Sequence, residues 1–153
     1  MGCGASKCIL SESMAEIFQL IYDAALNEDR IQINELVKMH GSIDIQHSKS
    51  MPLSAAAKLS FEGKDFAVEF LRLNGADVNL LIKGYILARN HSKVEEYSRL
   101  YGASFKVIAE SYRANNDKEY AERYEIYSKD RASFSFDSII NKQLKIKKLV
   151  LMN

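Results

Sequence analysis

The chain has 153 residues, 47% of them hydrophobic, which is the size and composition of a folded domain and excludes wholesale disorder. Its 21 basic and 20 acidic residues leave a net charge of +1, which argues against nucleic acid as the main ligand, because phosphate binding needs a concentrated positive surface. One proline and no tryptophan favour helix, and no apolar run approaches the ~18–20 residues that cross a bilayer.

Residues 1–13 are small and polar and read as a flexible arm. The opening Met1-Gly2-Cys3-Gly4-Ala5-Ser6 fits the N-myristoylation pattern M-G-x-x-x-[ST]. Removal of Met1 exposes the unhindered amine of Gly2, small residues follow it, and Ser6 supplies the hydroxyl. Cys3 and Cys8 are thiols suited to palmitoylation, and both lie in this arm. One myristoyl chain holds a protein at a membrane only marginally, whereas two lipid signals anchor it stably. With no cysteine in the body, the fold has no internal disulfide, which suits a reducing compartment. Acylated, the protein is expected on the cytosolic face of a eukaryotic or host membrane; without acylation, it is cytoplasmic.

Helical periodicity begins at Met14, with Ile17, Phe18, Leu20, Ile21, Ala24 and Ala25 on one face. Ser13 is the expected N-cap, with Glu16 at the capping-box position. Asn27-Glu28-Asp29 reads as a turn into a second helix carrying Ile31, Ile33, Leu36 and Val37, closed by Gly41 in a left-handed conformation. Residues 42–50 form a loop or extended finger. Ser50-Met51-Pro52 is expected to open the next helix, with proline in its first turn. Leu53, Ala55, Ala56, Ala57 and Leu59 give this helix a narrow face suited to close helix approach. Glu62-Gly63-Lys64 is the following turn, and Phe66, Ala67, Phe70, Leu71 and Leu73 form a helix ending at Asn74-Gly75.

Asn79 is the expected cap of a helix with Leu81, Ile82, Tyr85, Ile86 and Ala88; Asn90-His91-Ser92 turns the chain, and Val94, Tyr97, Leu100 and Tyr101 lead to Gly102. A last pair holds Phe105, Val107, Ile108, Ala109 and Tyr112, a turn at Asn115-Asn116-Asp117, and Tyr120, Ala121, Tyr124 and Tyr127. Residues 129–153 read as a basic tail, with Phe134 and Phe136 as contact or capping residues and Asp137 capping a final helix through Ile139, Ile140, Leu144 and Leu149. Lys142, Lys145, Lys147 and Lys148 are expected to form a solvated face of that helix rather than a lipid-binding patch.

Three stretches repeat: Gly41-Ser42-Ile43-Asp44-Ile45, Gly75-Ala76-Asp77-Val78-Asn79 and Gly102-Ala103-Ser104-Phe105-Lys106. Their glycines are 34 (41 to 75) and 27 (75 to 102) residues apart, and such spacing with helical content indicates a stacked helical array. Met51-Pro52-Leu53-Ser54-Ala55-Ala56-Ala57 resembles the ankyrin signature Thr-Pro-Leu-His-x-Ala-Ala, matching at Pro52, Leu53, Ala56 and Ala57, while Met51 and Ser54 depart from it. Val68 to Asn79 is similar to the second half of that repeat, with about three extra residues between Ala57 and Gly75. Gly84 to Tyr97 resembles degenerate ankyrin-like repeats of proteins from intracellular bacterial pathogens. The resemblance covers residues 14–128 and is specific around 51–106. It implies an all-α, ankyrin-like solenoid of about four helix pairs with a C-terminal capping helix, binding a protein partner as a monomer, and an effector delivered to a host cell.

No catalytic constellation is evident. His40, His47 and His91 are scattered outside any metal spacing, and Gly-x-Ser-x-Gly, Walker-type and dinucleotide patterns are absent. Glu95-Glu96 and Asp117 with Glu119 read as solvated helix faces. The expectation is therefore a non-enzymatic module without metal or cofactor. Seven of the eight tyrosines lie after residue 84. Tyr97, Tyr101, Tyr120, Tyr124 and Tyr127 are the candidate protein-binding residues, since tyrosine is enriched at interface hot spots; packing between repeats is the competing role. The alternative to a membrane-anchored module is a soluble ankyrin-type adaptor or inhibitor.

Overall fold

A computed structural model describes residues 13–133 and residue 147. Among the described residues the protein is all-α. Its helices are α1 Met14–Leu26, α2 Arg30–His40, α3 Ala55–Phe61, α4 Asp65–Leu73, α5 Val78–Leu87, α6 His91–Leu100, α7 Phe105–Ala114 and α8 Lys118–Ser133. The expected lipidation residues Gly2, Cys3 and Cys8, the tail contacts Phe134 and Phe136, and the capping helix from Asp137 lie outside the described residues. Of the basic run, Lys147 is described and exposed. The chain divides into two compact units, one ending at Ala103 and holding α1–α6, the other starting at Ser104 and holding α7 and α8. The boundary falls inside the body expected over 14–128, and α8 runs on to Ser133, past the expected start of the tail.

Most helices start on a short polar side chain that accepts an otherwise unpaired N–H. Ser13 accepts from the Glu16 N–H (3.2 Å), Asp29 from Gln32 (3.1 Å), Asn90 from Lys93 (3.3 Å), and Ser104 from Val107 (3.3 Å). Two starts differ from the sequence expectation. Helix α3 begins after Ser54, whose hydroxyl accepts from the Ala57 N–H (3.2 Å), so Pro52 precedes the helix. The reason is an extended finger: Gln46 pairs with Ser54, and the His47 N–H donates to the Leu53 carbonyl (2.9 Å). Helix α5 is capped by Asp77 rather than Asn79; the Asp77 carboxylate accepts the Asn79 N–H itself (2.8 Å).

The turns inside the hairpins share one geometry. After α1, Glu28 is left-handed (φ 50°), its N–H donates to the Ala25 carbonyl, and the Asp29 N–H donates to the Ala24 carbonyl (2.8 Å). The same pair of bonds recurs at Gly63-Lys64, Arg89-Asn90 and Asn116-Asp117. Together the bonds satisfy carbonyls that a helix end leaves open. Asp29, Asn90 and Asp117 then each cap the following helix, so a single residue finishes one helix and starts the next.

In the first unit, α1 packs against α2, α3 and α4; α3 packs against α4 and α5; α5 packs against α6. Helix α3 is the short centre, with Ala55, Ala56, Ala57, Leu59 and Ser60 all buried. Its small side chains bury little area but let neighbours approach. The closest approach is at Gly84 of α5, where a β-carbon would meet the Ala57 carbonyl oxygen at 1.9 Å. Phe18, Ile21, Ile33, Leu59, Val68, Leu71, Leu81, Ile82, Tyr85 and Val94 are the large side chains of this core; each contributes about 1.5–3 kcal/mol of burial. In the second unit, α7 packs on α8 over Ile108, Ala109, Tyr112, Ala121 and Tyr124.

Candidate functional site

The polar chemistry of the first unit gathers where α4, α5 and α6 meet. Asp65, Glu69 and Arg72 recur at three- and four-residue steps, which places them along one side of α4. The Tyr85 hydroxyl donates to Asp65 Oδ1 (2.7 Å) and the Tyr97 hydroxyl to Glu69 Oε2 (3.1 Å). Arg72 grips the same carboxylate with two N–H groups, Nε to Oε2 (3.0 Å) and Nη2 to Oε1 (2.5 Å). Its guanidinium lies 3.8 Å from the ring centre of Tyr101. Lys93 of α6 bridges Glu96 (3.0 Å) and reaches Asp65 (4.0 Å). The rings of Tyr85 and Tyr97 stack at 5.7 Å, and those of Tyr97 and Tyr101 lie 5.1 Å apart.

This arrangement fixes its own protonation. Burial, followed by the bond to Asp65, pushes the Tyr85 phenol far up; burial and the nearby Glu69 charge do the same to Tyr97. Both therefore stay protonated and act as donors. The Arg72 guanidinium holds the Glu69 carboxyl below its usual range, with the Tyr97 hydroxyl adding to the effect. The paired donors and acceptors of this cluster link α4 to α5 and α6.

A depressed carboxylate contributes stability that is present above its unfolded value, near 4.5, and is lost as pH falls through the lower folded value. Thermal melts across the acid range should show wild-type stability declining below that point. Glu69→Gln should start less stable at neutral pH and decline less steeply on acidification. Parallel acid limbs in the two proteins would remove Glu69 from the linkage.

A smaller cluster joins α1 to the turn after α3. The Tyr22 hydroxyl donates to Glu62 (2.7 Å) and accepts from Lys64 Nζ (3.2 Å), while Lys58 Nζ lies 4.8 Å from the Tyr22 ring centre. His47 of the finger meets Phe18 edge-on at 5.1 Å.

In the second unit the aromatic rings form a ladder. Tyr112 stacks on Tyr120 (5.2 Å) and Tyr124 (5.7 Å), and Phe105 faces Tyr124 (5.8 Å) and Tyr127 (6.0 Å). Arg123 lies over the Tyr120 ring (4.7 Å). Burial is the main reason that the Tyr112 phenol is pushed up. On the same pair of helices, Lys106, Ala109, Glu110, Glu125, Ser128 and Lys129 line an open groove of about 280 Å³, beside which Arg113 pairs with Glu125.

The five candidate tyrosines thus fall into two groups. Tyr97 and Tyr124 are buried, with rings against other rings. Tyr101 and Tyr120 are half-buried, each with an arginine over its ring, and Tyr127 is 44% exposed. Sequence reasoning passed over the partners Asp65, Glu69, Arg72 and Lys93. The three-residue spacings Glu69 to Arg72 and Lys93 to Glu96 were a usable local signal; the long-range pairing with tyrosines left none. Among the described residues, no group of three or more His, Cys, Asp or Glu side chains is placed to hold a metal ion, and no helix is long and apolar enough to cross a membrane. No protein-family model matches the chain, and no curated protein or solved structure matches it either.

Proposed function

We propose that this chain is a non-enzymatic protein-binding array of ankyrin-like helical hairpins, held at the cytosolic face of a host or eukaryotic membrane by acylation of Gly2 and Cys3, with Cys8 as a further acylation site, and acting as an effector. The observation that carries the array half is the recurring hairpin turn, in which Asp29, Asn90 and Asp117 each close one helix and cap the next. Units that repeat a local turn and pack on their neighbours present an extended surface for other molecules. The site chemistry agrees with that role, since the tyrosine–carboxylate cluster uses its polar groups to join α4, α5 and α6. The anchoring half rests on the M-G-x-x-x-[ST] opening with cysteine beside Gly2. Anchoring raises the local concentration of whatever the array holds, so the mechanism is recruitment.

The test is localisation in eukaryotic cells of the carboxyl-terminally tagged protein and its Gly2→Ala variant, with incorporation of a myristate analogue measured in parallel. Wild type is expected on membranes and labelled; the variant is expected in the cytosol and unlabelled. If both are diffuse and unlabelled, the anchor is withdrawn and the protein is a soluble adaptor or inhibitor.

A further inference from the structure

The helices α2, α4 and α6 end alike. The third residue before the left-handed glycine is basic (Lys38, Arg72, Arg99), and the second is large and apolar (Met39, Leu73, Leu100). A cation in the last turn complements the helix dipole, which accounts for the basic position. Among the described residues nothing accounts for the apolar one: Met39, Leu73 and Leu100 are 62%, 70% and 63% exposed. Single exposed apolar side chains are ordinary. Three at the same position in successive hairpins form a pattern.

Side-chain contacts join these ends into one rim. The Asp77 N–H, just after Gly75, donates to the Asp44 carboxylate, just after Gly41 (3.2 Å to each oxygen). Arg72, at the end of α4, stacks on Tyr101, at the end of α6. The finger that follows Gly41 adds exposed Lys49 and Met51. The carboxylates paired with the basic residues, Glu69 with Arg72 and Glu95 with Arg99, sit one turn back from the helix ends. Of the cations, Lys38 and Lys49 are exposed and Arg99 is 71% exposed, whereas Arg72, 19% exposed, is held by Glu69 and Tyr101.

We propose that this rim lies against an anionic lipid surface. Each apolar side chain ends a different helix of the first unit. Isolated apolar points flanked by cations suit a bilayer interface, where apolar insertion and attraction to anionic headgroups add. Chain length agrees. From Gly2 to the start of α1 the arm spans at most about 40 Å, so an acylated terminus holds the unit within reach of the surface. The inference rests on the membrane-recruitment reading and names the face that meets the membrane.

The test uses the full chain made without an acyltransferase, sedimented with vesicles of phosphatidylcholine alone or with added phosphatidylserine. The expected result is binding to the anionic vesicles alone, weakened by salt well above 0.1 M, where the Debye length is about 10 Å. The triple variant Met39→Asp, Leu73→Asp, Leu100→Asp should bind roughly tenfold more weakly or worse, with an unchanged circular dichroism spectrum. Lys38→Glu with Arg99→Glu should give a similar loss. Equal binding by wild type and the triple variant, or no preference for phosphatidylserine, overturns the proposal. So does light scattering that shows a wild-type dimer and a monomeric triple variant, because the rim would then pair two copies of the chain. The two readings fail separately: a Gly2→Ala variant without effect in cells removes the anchor, while vesicle binding by unacylated protein tests the rim alone.

Discussion

Gly84→Ala should lower the stability of the first unit by about 2 kcal/mol, although alanine is the better helix former by about 1 kcal/mol. An added β-carbon would stand 1.9 Å from the Ala57 carbonyl oxygen and 2.8 Å from the Ser60 β-carbon. The first obstacle is backbone, which cannot rotate aside. Helices α3 and α5 must separate, and that loosens the contacts of Leu59, Leu81, Ile82 and Tyr85, all fully buried. Overpacking of this kind costs roughly 1–3 kcal/mol and outweighs the propensity gain when backbone is the obstacle. Thermal melts should show a fall of roughly 10 °C. The control is Gly63→Ala, where φ is +75° and nothing lies within 4 Å of the added atom. That variant pays only for backbone conformation, about 1 kcal/mol. A Gly84→Ala protein that melts at or above wild type would show that α3 and α5 do not pack this closely.

What could be read from sequence alone was what is decided within a few residues. Ser13, the Asn27 to Asp29 turn, Gly41 and the Asn115 to Asp117 turn were legible, because a cap or a left-handed turn makes its bonds to residues three to five positions away. The misplacement of the α3 start has a longer cause: Pro52 looks like a first-turn proline until Gln46 is seen to pair with Ser54 across the finger. Asn79 and Asp77 are both good caps, and the register of α5 selected the earlier one. The Ala-rich face of α3 was visible, but the glycine that it receives was not, since Gly84 is distant in sequence from Ala57. The candidate site was the least legible part. Tyrosines at helical spacing announce a face without saying whether that face is inside or outside. Tyr85 to Asp65, Tyr97 to Glu69 and Tyr22 to Glu62 join residues 20, 28 and 40 positions apart, and no local pattern specifies such pairs.

Tyr112→Ala should be the most damaging change in the second unit, at about 3–5 kcal/mol, the range for removing a large buried aromatic side chain. Tyr112 is 1% exposed and stacks on both Tyr120 and Tyr124, so its ring joins α7 to two successive turns of α8. Among the described residues, the other buried side chains of this hairpin are Ile108, Ala109, Ala121 and Tyr124, too few to restore packing around the hole. Hydrogen exchange should lose protection throughout α7 and α8. Tyr112→Phe keeps the stack and should cost about 1 kcal/mol. Tyr127→Ala gives the opposite result: a ring 44% exposed at the end of the ladder should cost under about 1 kcal/mol. The pair of variants separates the two roles that the tyrosine stripe left open. Equal losses for Tyr112→Ala and Tyr127→Ala would mean the ladder is packed to its end and offers no ring to a partner. A large loss at Tyr112 with a small one at Tyr127 makes Tyr127 the residue of this stripe to truncate in binding assays, since lost binding there could not be ascribed to lost folding.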